Sequence, residues 1–172
     1  MFYLSDNGIS VREFCLGDID NKVKWINNPQ NNQYLHYDIP ICRAKTIDWF
    51  KNKSENRLDC VIEYYNVPVG LVGLIGLDEK NKKAEFYISM GEHKFKRKGI
   101  AYLATKLILR YAFDEIDIRK VYLNVDEENL PACKLYEKVG FKCEGRFIKE
   151  CFHRGKFINR LRYAIFAENF KY

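Results

Sequence analysis

Hydrophobic and polar positions alternate through much of the first half of the chain, with the period of a β-strand that has one buried face. Residues 9–15 give the first such segment. Two apolar runs at residues 58–65 and 68–77 are separated by a short turn at Asn66 and predict a hairpin. Residues 84–90 alternate again. The first half of the chain is therefore predicted to form mainly strands.

Apolar residues spaced three and four apart predict helices between these strands. The clearest pattern covers residues 98–113. An earlier helix is predicted to begin at Gly17 and to stop before Pro29, and a short one to be capped by Thr46. Residues 30–42 show no period and are predicted to be a loop.

The last third of the chain repeats both patterns. Asn129 is predicted to cap a helix that contains Tyr136, and Gly140 stands where a left-handed helix end is expected. Three further strands are predicted at residues 121–125, 141–152 and 157–166. Together these elements predict a mixed sheet with helices on both faces.

Composition limits the classes of protein that this chain can be. A chain of 172 residues that is 47% hydrophobic and 30% charged is expected to fold as one domain, residues 1–172. The net charge is +6, but only residues 94–98 are densely basic. Because a nucleic-acid surface normally needs a longer basic stripe, we expect no nucleic-acid partner, although a basic nucleic-acid-binding domain stays an open alternative.

Cysteine usage and hydropathy indicate the compartment. The six cysteines form no CxxC pair and are not spaced with the three histidines, so we expect buried thiols, a reducing cytoplasm and no metal site. No apolar run approaches the roughly 20 residues of a membrane span, and the first residues lack the pattern of a signal peptide. We therefore expect a cytoplasmic protein without a membrane partner.

Residues 95–101 form a basic turn with one glycine, directly before the predicted long helix. A helix N-terminus offers unpaired N–H donors and the positive end of the helix dipole, and Gly99 lets an anion approach the backbone closely. The turn therefore predicts a site for a phosphate-bearing ligand. From one glycine alone, a solvated basic turn before an ordinary core helix is the favoured interpretation.

Two spaced motifs give a resemblance to a known superfamily. Lys96-x-x-Gly99-x-Ala101 resembles the (Gln/Arg)-x-x-Gly-x-(Gly/Ala) signature of the GNAT superfamily of acetyl-CoA-dependent N-acetyltransferases. Lys96 departs from the usual Gln or Arg, so the role of this side chain is open.

The second motif contains five spaced residues, Asn129, Ala132, Tyr136, Gly140 and Phe141, and resembles the later signature of the same superfamily. Residues 25–29 and 136–145 are similar to the branch with ribosomal-protein N-terminal, spermidine and amino-sugar-nucleotide acetyltransferases. The resemblance covers nearly the whole chain.

The resemblance implies a fold class and an activity. The fold is α/β (α+β): a central mixed, mostly antiparallel twisted sheet of about seven strands, with helices on both faces and a splayed pair of parallel strands. The activity is direct transfer of acetyl from acetyl-CoA, the co-substrate, to a primary amine of a small molecule (an amino-sugar nucleotide or polyamine) or to a peptide N-terminus. A non-catalytic acyl-CoA sensor with the same fold is the alternative, and a homo-oligomer is left open.

The resemblance also implies site residues. The coenzyme contacts carried over from the family are Ile88, Ser89, Met90, Arg97, Lys98, Gly99, Ile100, Ala101, Tyr102, Asn129 and Ala132. Tyr136 is the expected general acid and Glu85 the expected general base. Packing in the core is the alternative interpretation of Tyr136, and Asp126 is a second candidate base beside Glu85.

The acceptor region is expected around residues 25–37 and the strands near Gly155. Its acidic positions Asp18, Asp20, Asp38 and Asp48 are matched by nearby Lys22, Lys24, Arg43 and Lys45. A polyamine site needs clustered carboxylates, so this region predicts no evident polycation pocket.

Overall fold

A computed structural model describes residues 2–172, which form one eight-stranded sheet. The strands are β1 Tyr3–Asp6, β2 Ile9–Glu13, β3 Arg57–Tyr64, β4 Val67–Asp78, β5 Lys83–Met90, β6 Lys120–Asp126, β7 Lys142–His153 and β8 Lys156–Phe166. Their order is β1-β2-β3-β4-β5-β6-β8-β7. All neighbours are antiparallel except β5 and β6, so the predicted mixed sheet is confirmed.

Four α-helices cover the two faces of the sheet. They are α1 Ile19–Asn27, α2 Arg43–Asn52, α3 Ile100–Arg110 and α4 Leu130–Val139. Helices α1 and α2 pack on a small core that contains Phe14, Trp25 and Val61. The larger core on the opposite face buries α3 and α4 against the alternate side chains of the strands, including Phe86 and Leu123.

The parallel pair β5–β6 separates soon after it begins. The two strands pair only from Lys83 opposite Lys120 to Glu85 opposite Tyr122. Beyond that point β5 stays paired with β4, and β6 with β8, so the strands diverge and leave a gap in the middle of the sheet. The splayed parallel pair is therefore confirmed, and it divides the sheet at one position.

Several predicted boundaries are wrong. Strand β1 was not predicted, so the sheet has eight strands rather than about seven. Thr46 does not cap α2: the helix begins at Arg43, and the Thr46 hydroxyl donates back to the carbonyl of Cys42. The helix predicted at residues 98–113 begins at Ile100 and ends in a π-helical turn, Tyr111–Glu115.

The cysteines also differ from expectation. Cys60 and Cys133 are buried, but Cys15, Cys42 and Cys143 are exposed, so the expectation of buried thiols is wrong for these three. Within residues 2–172, no group of three or more His, Cys, Asp or Glu side chains could hold a metal ion. The same residues contain no helix with the length and hydropathy needed to cross a membrane.

Candidate active site

The start of α3 presents a row of unused backbone donors. No acceptor among residues 2–172 is found for the backbone N–H groups of residues 97–102, and no side chain caps the helix. The first intrahelical donor is Leu103, which bonds to the carbonyl of Gly99 at 3.1 Å. Exposed N–H groups at the positive end of a helix are suited to bind an anion such as a diphosphate.

The backbone conformation of the turn explains why glycine is needed. Gly99 has φ +77°, in the left-handed region, and Arg97, two residues earlier, has φ +64°. A Cβ built on Gly99 would have no neighbour within 4 Å, so the space above it is open to a ligand. Arg97 and Lys98 are exposed beside this space. These residues, with Ala101 and Tyr102 on the first turn of α3, border a space that is chemically suited to an anion.

Lys96, the residue that departs from the family signature, points away from the donor row. Its Nζ lies 3.4 Å from Oδ1 of Asn31 and 3.0 Å from Nε2 of His93. Asn31 in turn donates to the carbonyl of Gly91 at 2.8 Å. Partial burial lowers the pKa of Lys96. Lys96 therefore links the turn to the loop after α1.

The edge of β5 that faces the gap carries the second group of expected coenzyme contacts. Ile88, Ser89 and Met90 pair with β4 along one edge, from Val72 to Gly70. Their other edge has no ladder partner, because β6 pairs with β5 only as far as Tyr122. Unpaired strand groups can hydrogen-bond an extended, amide-containing chain such as the pantetheine arm.

Tyr136 lies on α4, on the same face of the sheet as Phe86. Their rings are 6.4 Å apart, Phe141 is 5.8 Å away, and the side chain of Tyr136 is 7% exposed. Its hydroxyl makes no hydrogen bond to any other described residue. Burial raises the pKa of Tyr136, and Cys133 raises it further. A hydroxyl that stays protonated and has no partner is chemically suited to donate a proton.

Asn129 and Ala132 have a local structural role as well as an expected coenzyme contact. Oδ1 of Asn129 accepts from the Ala132 N–H at 3.4 Å and so caps α4, as predicted. Gly140 ends the helix in the left-handed conformation, with φ +115°. The cap and the stop fix the position of Tyr136 between them. Nearby Cys133 is buried, which raises the pKa of its thiol and keeps it from acting as a thiolate nucleophile.

Glu85 faces the opposite side of the sheet from Tyr136, since it alternates with Phe86 along β5. Its Oε1 accepts a hydrogen bond from Nδ2 of Asn124 at 3.0 Å, where the two parallel strands stop pairing. The two expected proton-transfer groups thus lie on the two sides of the gap.

A second acidic group lies at the far end of β6. Asp126 is 5% exposed, and its carboxylate oxygens lie 2.8 and 3.0 Å from Nε2 of His36. Arg160 Nε is 3.3 Å from the same carboxylate, and the rings of His36 and His153 are 4.4 Å apart. Asp126 is a candidate base from the sequence, but no sequence signal pairs it with His36.

A sheet divided between two parallel strands, with free helix N–H groups beside the gap and a buried tyrosine across it, is the arrangement expected of an acetyltransferase. Residues 9–142 match the family model described as "Acetyltransferase (GNAT) domain", and the chain belongs to this family. The family uses acetyl-CoA, so at the level of the family the expected fold and co-substrate are confirmed.

Curated relatives are consistent with the branch named from the sequence. The chain is 35% identical over 119 residues to the spermidine N(1)-acetyltransferase of Escherichia coli (strain K12); this alignment covers 69% of the chain and 62% of that enzyme. It is also 35% identical over 154 residues to the spermidine N(1)-acetyltransferase of Vibrio cholerae, covering 87% of each protein.

A solved structure of the V. cholerae enzyme, in complex with CoA and spermine, superposes with a TM-score of 0.86 at 26% identity. It covers 94% of this chain and 97% of that one. Another structure of the same enzyme is described as dodecameric and superposes with a TM-score of 0.80 at 26% identity, covering 94% and 95% of the two chains.

Proposed function

We propose that this chain transfers the acetyl group of acetyl-CoA directly to a primary amine. The observation that carries the proposal is the row of free N–H groups at residues 97–102, which opens beside the gap between β5 and β6. Family membership supports the same activity. The acceptor is an amine of a small molecule, such as an amino-sugar nucleotide or a polyamine, or a peptide N-terminus.

In this proposal the coenzyme is held by backbone groups. The N–H groups of residues 97–102 bind the diphosphate, and Arg97 and Lys98 add positive charge. The free edge of β5 at Ile88, Ser89 and Met90 binds the pantetheine arm. Asn129 and Ala132 border the same site at the start of α4. The coenzyme supplies an activated acetyl thioester, and the Met90 N–H is the candidate donor to its carbonyl oxygen.

Proton transfer is divided between the two faces of the sheet. An alkylamine has a pKa near 10.4, so only roughly one in two thousand molecules is neutral at pH 7. Glu85 takes the proton from the attacking amine on the face that carries α1 and α2. Tyr136 gives a proton to the departing thiolate on the face that carries α3 and α4. No covalent intermediate with the protein is needed, which agrees with the raised pKa of Cys133.

A homo-oligomer is part of the proposal. The edge strand β7 and the start of β8 expose large apolar side chains, namely Ile148, Phe152 and Phe157, at 64–68% of their surface. Exposed apolar groups clustered on one strand pair favour association, and a related structure is dodecameric. Light scattering on the purified protein measures the assembly directly.

Thiol release from acetyl-CoA in the presence of an amine panel tests the activity. The panel contains spermidine, amino sugars with and without phosphate, amino acids and short peptides with free N-termini. Amine-dependent thiol release is expected, together with an acetylated product in the mass spectrum. Coenzyme binding without turnover on any amine favours the sensor alternative over an enzyme.

A further inference from the structure

A pocket of about 200 Å³ lies on the face of the sheet that carries α1 and α2. One wall is formed by Ile88 and Ser89, the residues of β5 expected to hold the pantetheine arm. The opposite wall includes Tyr37, from the loop after α1, and Lys22 of α1. The pocket therefore adjoins the expected thioester position from the side on which Glu85 lies.

The charges at this pocket are mainly positive. Lys22 and Arg57 line it, and no carboxylate does. Arg57 and Tyr87, which line the pocket, both bind Asp59. This carboxylate is 2% exposed and accepts bonds of 2.7 Å from two nitrogens of Arg57 and 2.8 Å from the Tyr87 hydroxyl. Nζ of Lys53 lies 3.5 Å from the same carboxylate. Arg57 and Lys53 thus already engage this carboxylate, and Lys22 is a third cation beside the pocket.

Lys22 is the cation without a partner. The residue is 8% exposed, and its ammonium makes no hydrogen bond to any of residues 2–172. Its Nζ lies 3.3 Å from the centroid of the Trp49 ring and 5.6 Å from that of Phe14, which compensates only part of the lost hydration. The N–H donors of a largely buried ammonium at the pocket wall therefore lack an acceptor atom.

We propose that the acceptor carries a compact oxyanion, a carboxylate or a phosphate, which Lys22 and Arg57 bind while its amine is directed toward Ser89. This inference rests on the proposed function and names the chemical class of its acceptor. A polyamine places additional ammonium groups beside these two cations, where like charges repel and no free carboxylate offsets them. The pocket therefore selects against polyamines and for amines that bear an anion.

The electrostatic environment of Lys22 makes its side chain suited to bind an anion. Desolvation lowers its pKa to about 8, so at neutral pH it is charged but poorly solvated. An oxyanion supplies the missing hydrogen-bond acceptor and the missing counter-charge in one contact. Binding of the anion is therefore expected to raise the pKa of Lys22 and to weaken above pH 8.

A binding experiment tests the pocket independently of catalysis. The protein is saturated with CoA, so that the N–H groups of α3 are occupied, and then titrated in a calorimeter with inorganic phosphate and, separately, with acetate. Lys22→Met removes the charge and keeps the apolar stem over Trp49, Lys22→Arg keeps the charge, and Lys51→Met is the matched control on the exposed side of α2. Anion affinity is expected to fall at least tenfold only in Lys22→Met.

A turnover experiment tests the acceptor class and separates its two sources. Glucosamine 6-phosphate is compared with glucosamine, glycine with glycinamide, and both pairs with spermidine. We expect kcat/KM to be at least tenfold higher for the anionic member of one pair. The pair that shows this preference identifies the recognised anion as a phosphate or a carboxylate. This preference is expected to disappear in Lys22→Met and to persist in Lys51→Met.

Two results overturn the inference. One is that neither anion binds to the CoA-saturated wild-type protein. The other is that spermidine or the neutral amines are acetylated at least as well as the anionic ones, with no change in Lys22→Met. A protein that acetylates no amine contradicts the proposed function instead, and the phosphate and acetate titrations still decide whether the pocket binds an oxyanion.

Discussion

Nδ2 of Asn124 lies 3.0 Å from Oε1 of Glu85 and joins the two parallel strands at the point where they separate. The hydrogen bond orients a carboxylate at the closed end of the gap, on the face opposite Tyr136. One oxygen of Glu85 accepts this hydrogen bond, and the other makes no hydrogen bond or ion pair with the described residues. This geometry supports the proposed role of Glu85 as the general base, acting directly or through a water molecule.

Glu85→Gln is expected to reduce kcat/KM about 100-fold at pH 7, because a carboxamide can still accept from Asn124 but cannot take a proton. The residual rate should rise with pH as the free amine becomes more abundant. Steady-state rates from pH 6 to 10 provide the measurement, with Glu144→Gln, a carboxylate that binds Lys120, as the control. If Glu85→Gln keeps the wild-type pH profile, Glu85 is not the general base. Asp126→Asn then tests whether the Asp126–His36 pair takes the proton instead.

Tyr136→Phe is expected to lower turnover by about 100-fold or more, because the thiolate loses its proton donor. Coenzyme affinity should persist, and the free energy of unfolding should change little, since the hydroxyl has no partner among residues 2–172. Tyr163→Phe is a matched control: this hydroxyl bonds to Glu137 at 2.8 Å, and its ring is 6.3 Å from that of Tyr136. Equal turnover in both variants means that Tyr136 only packs in the core.

Gly99→Ala is expected to weaken coenzyme binding at least tenfold. The substitution costs about 1 kcal/mol of stability through the left-handed backbone, and its methyl group lies in the open space above the N–H groups. Gly76→Ala has the same kind of backbone cost, with φ +59° and no neighbour within 4 Å, but lies in β4 away from the turn. Calorimetry with CoA should therefore distinguish them, and an equal affinity in both variants would place the diphosphate elsewhere.

Much of the fold could be predicted because it follows from local patterns. The helix after Gly99, the cap at Asn129 and the stop at Gly140 each depend on neighbouring residues, and all three are confirmed. Strand β1 was missed although Asn7 and Gly8, both with positive φ, form the turn typical of a two-residue hairpin. That signal was present in the sequence.

The basic pocket could not be predicted in the same way. Lys22, Arg57 and Ser89 come from α1, β3 and β5, and only the packing of these elements brings the three side chains to one cavity. In the sequence, Lys22 is one of several lysines close to an aspartate. Its distinguishing property is burial without a partner, which depends on Trp49 in another helix.

Lys22→Met is expected to increase the free energy of unfolding at pH 7, since it removes the cost of burying a charged amine. With the pKa of Lys22 lowered from 10.5 to about 8, the increase is at most roughly 3 kcal/mol, and loss of the contact with Trp49 reduces it. The charged groups that face Lys22 are Asp59, Arg57 and Lys53.

The pH dependence of this gain has a defined sign. Between pH 8 and 10.5 the Lys22 side chain is protonated in the unfolded state but not in the folded state. The free energy of unfolding of the wild-type protein therefore rises with pH in this window. The advantage of Lys22→Met should therefore be full below pH 8 and should shrink through this window. Urea unfolding at pH 7, 9 and 10.5 measures it, with Lys51→Met as the control; a gain that is constant with pH contradicts the lowered pKa.

Gly91→Ala is expected to destabilise the protein by about 1–3 kcal/mol, which is typical of overpacking. A Cβ at this position would overlap the indole ring of Trp25, so α1 or the end of β5 has to move. The indole of Trp25 also donates to Glu92 at 2.9 Å, and Asn31 holds the Gly91 carbonyl, so little of this region can adjust freely. Because Gly91 directly follows Met90, a displaced β5 should weaken coenzyme binding as well. Gly145→Ala, where a Cβ would meet nothing within 4 Å, should be neutral in both measurements. Urea titrations followed by fluorescence measure the unfolding of both variants. Equal unfolding curves would show that Trp25 moves to accommodate the methyl group without loss of stability.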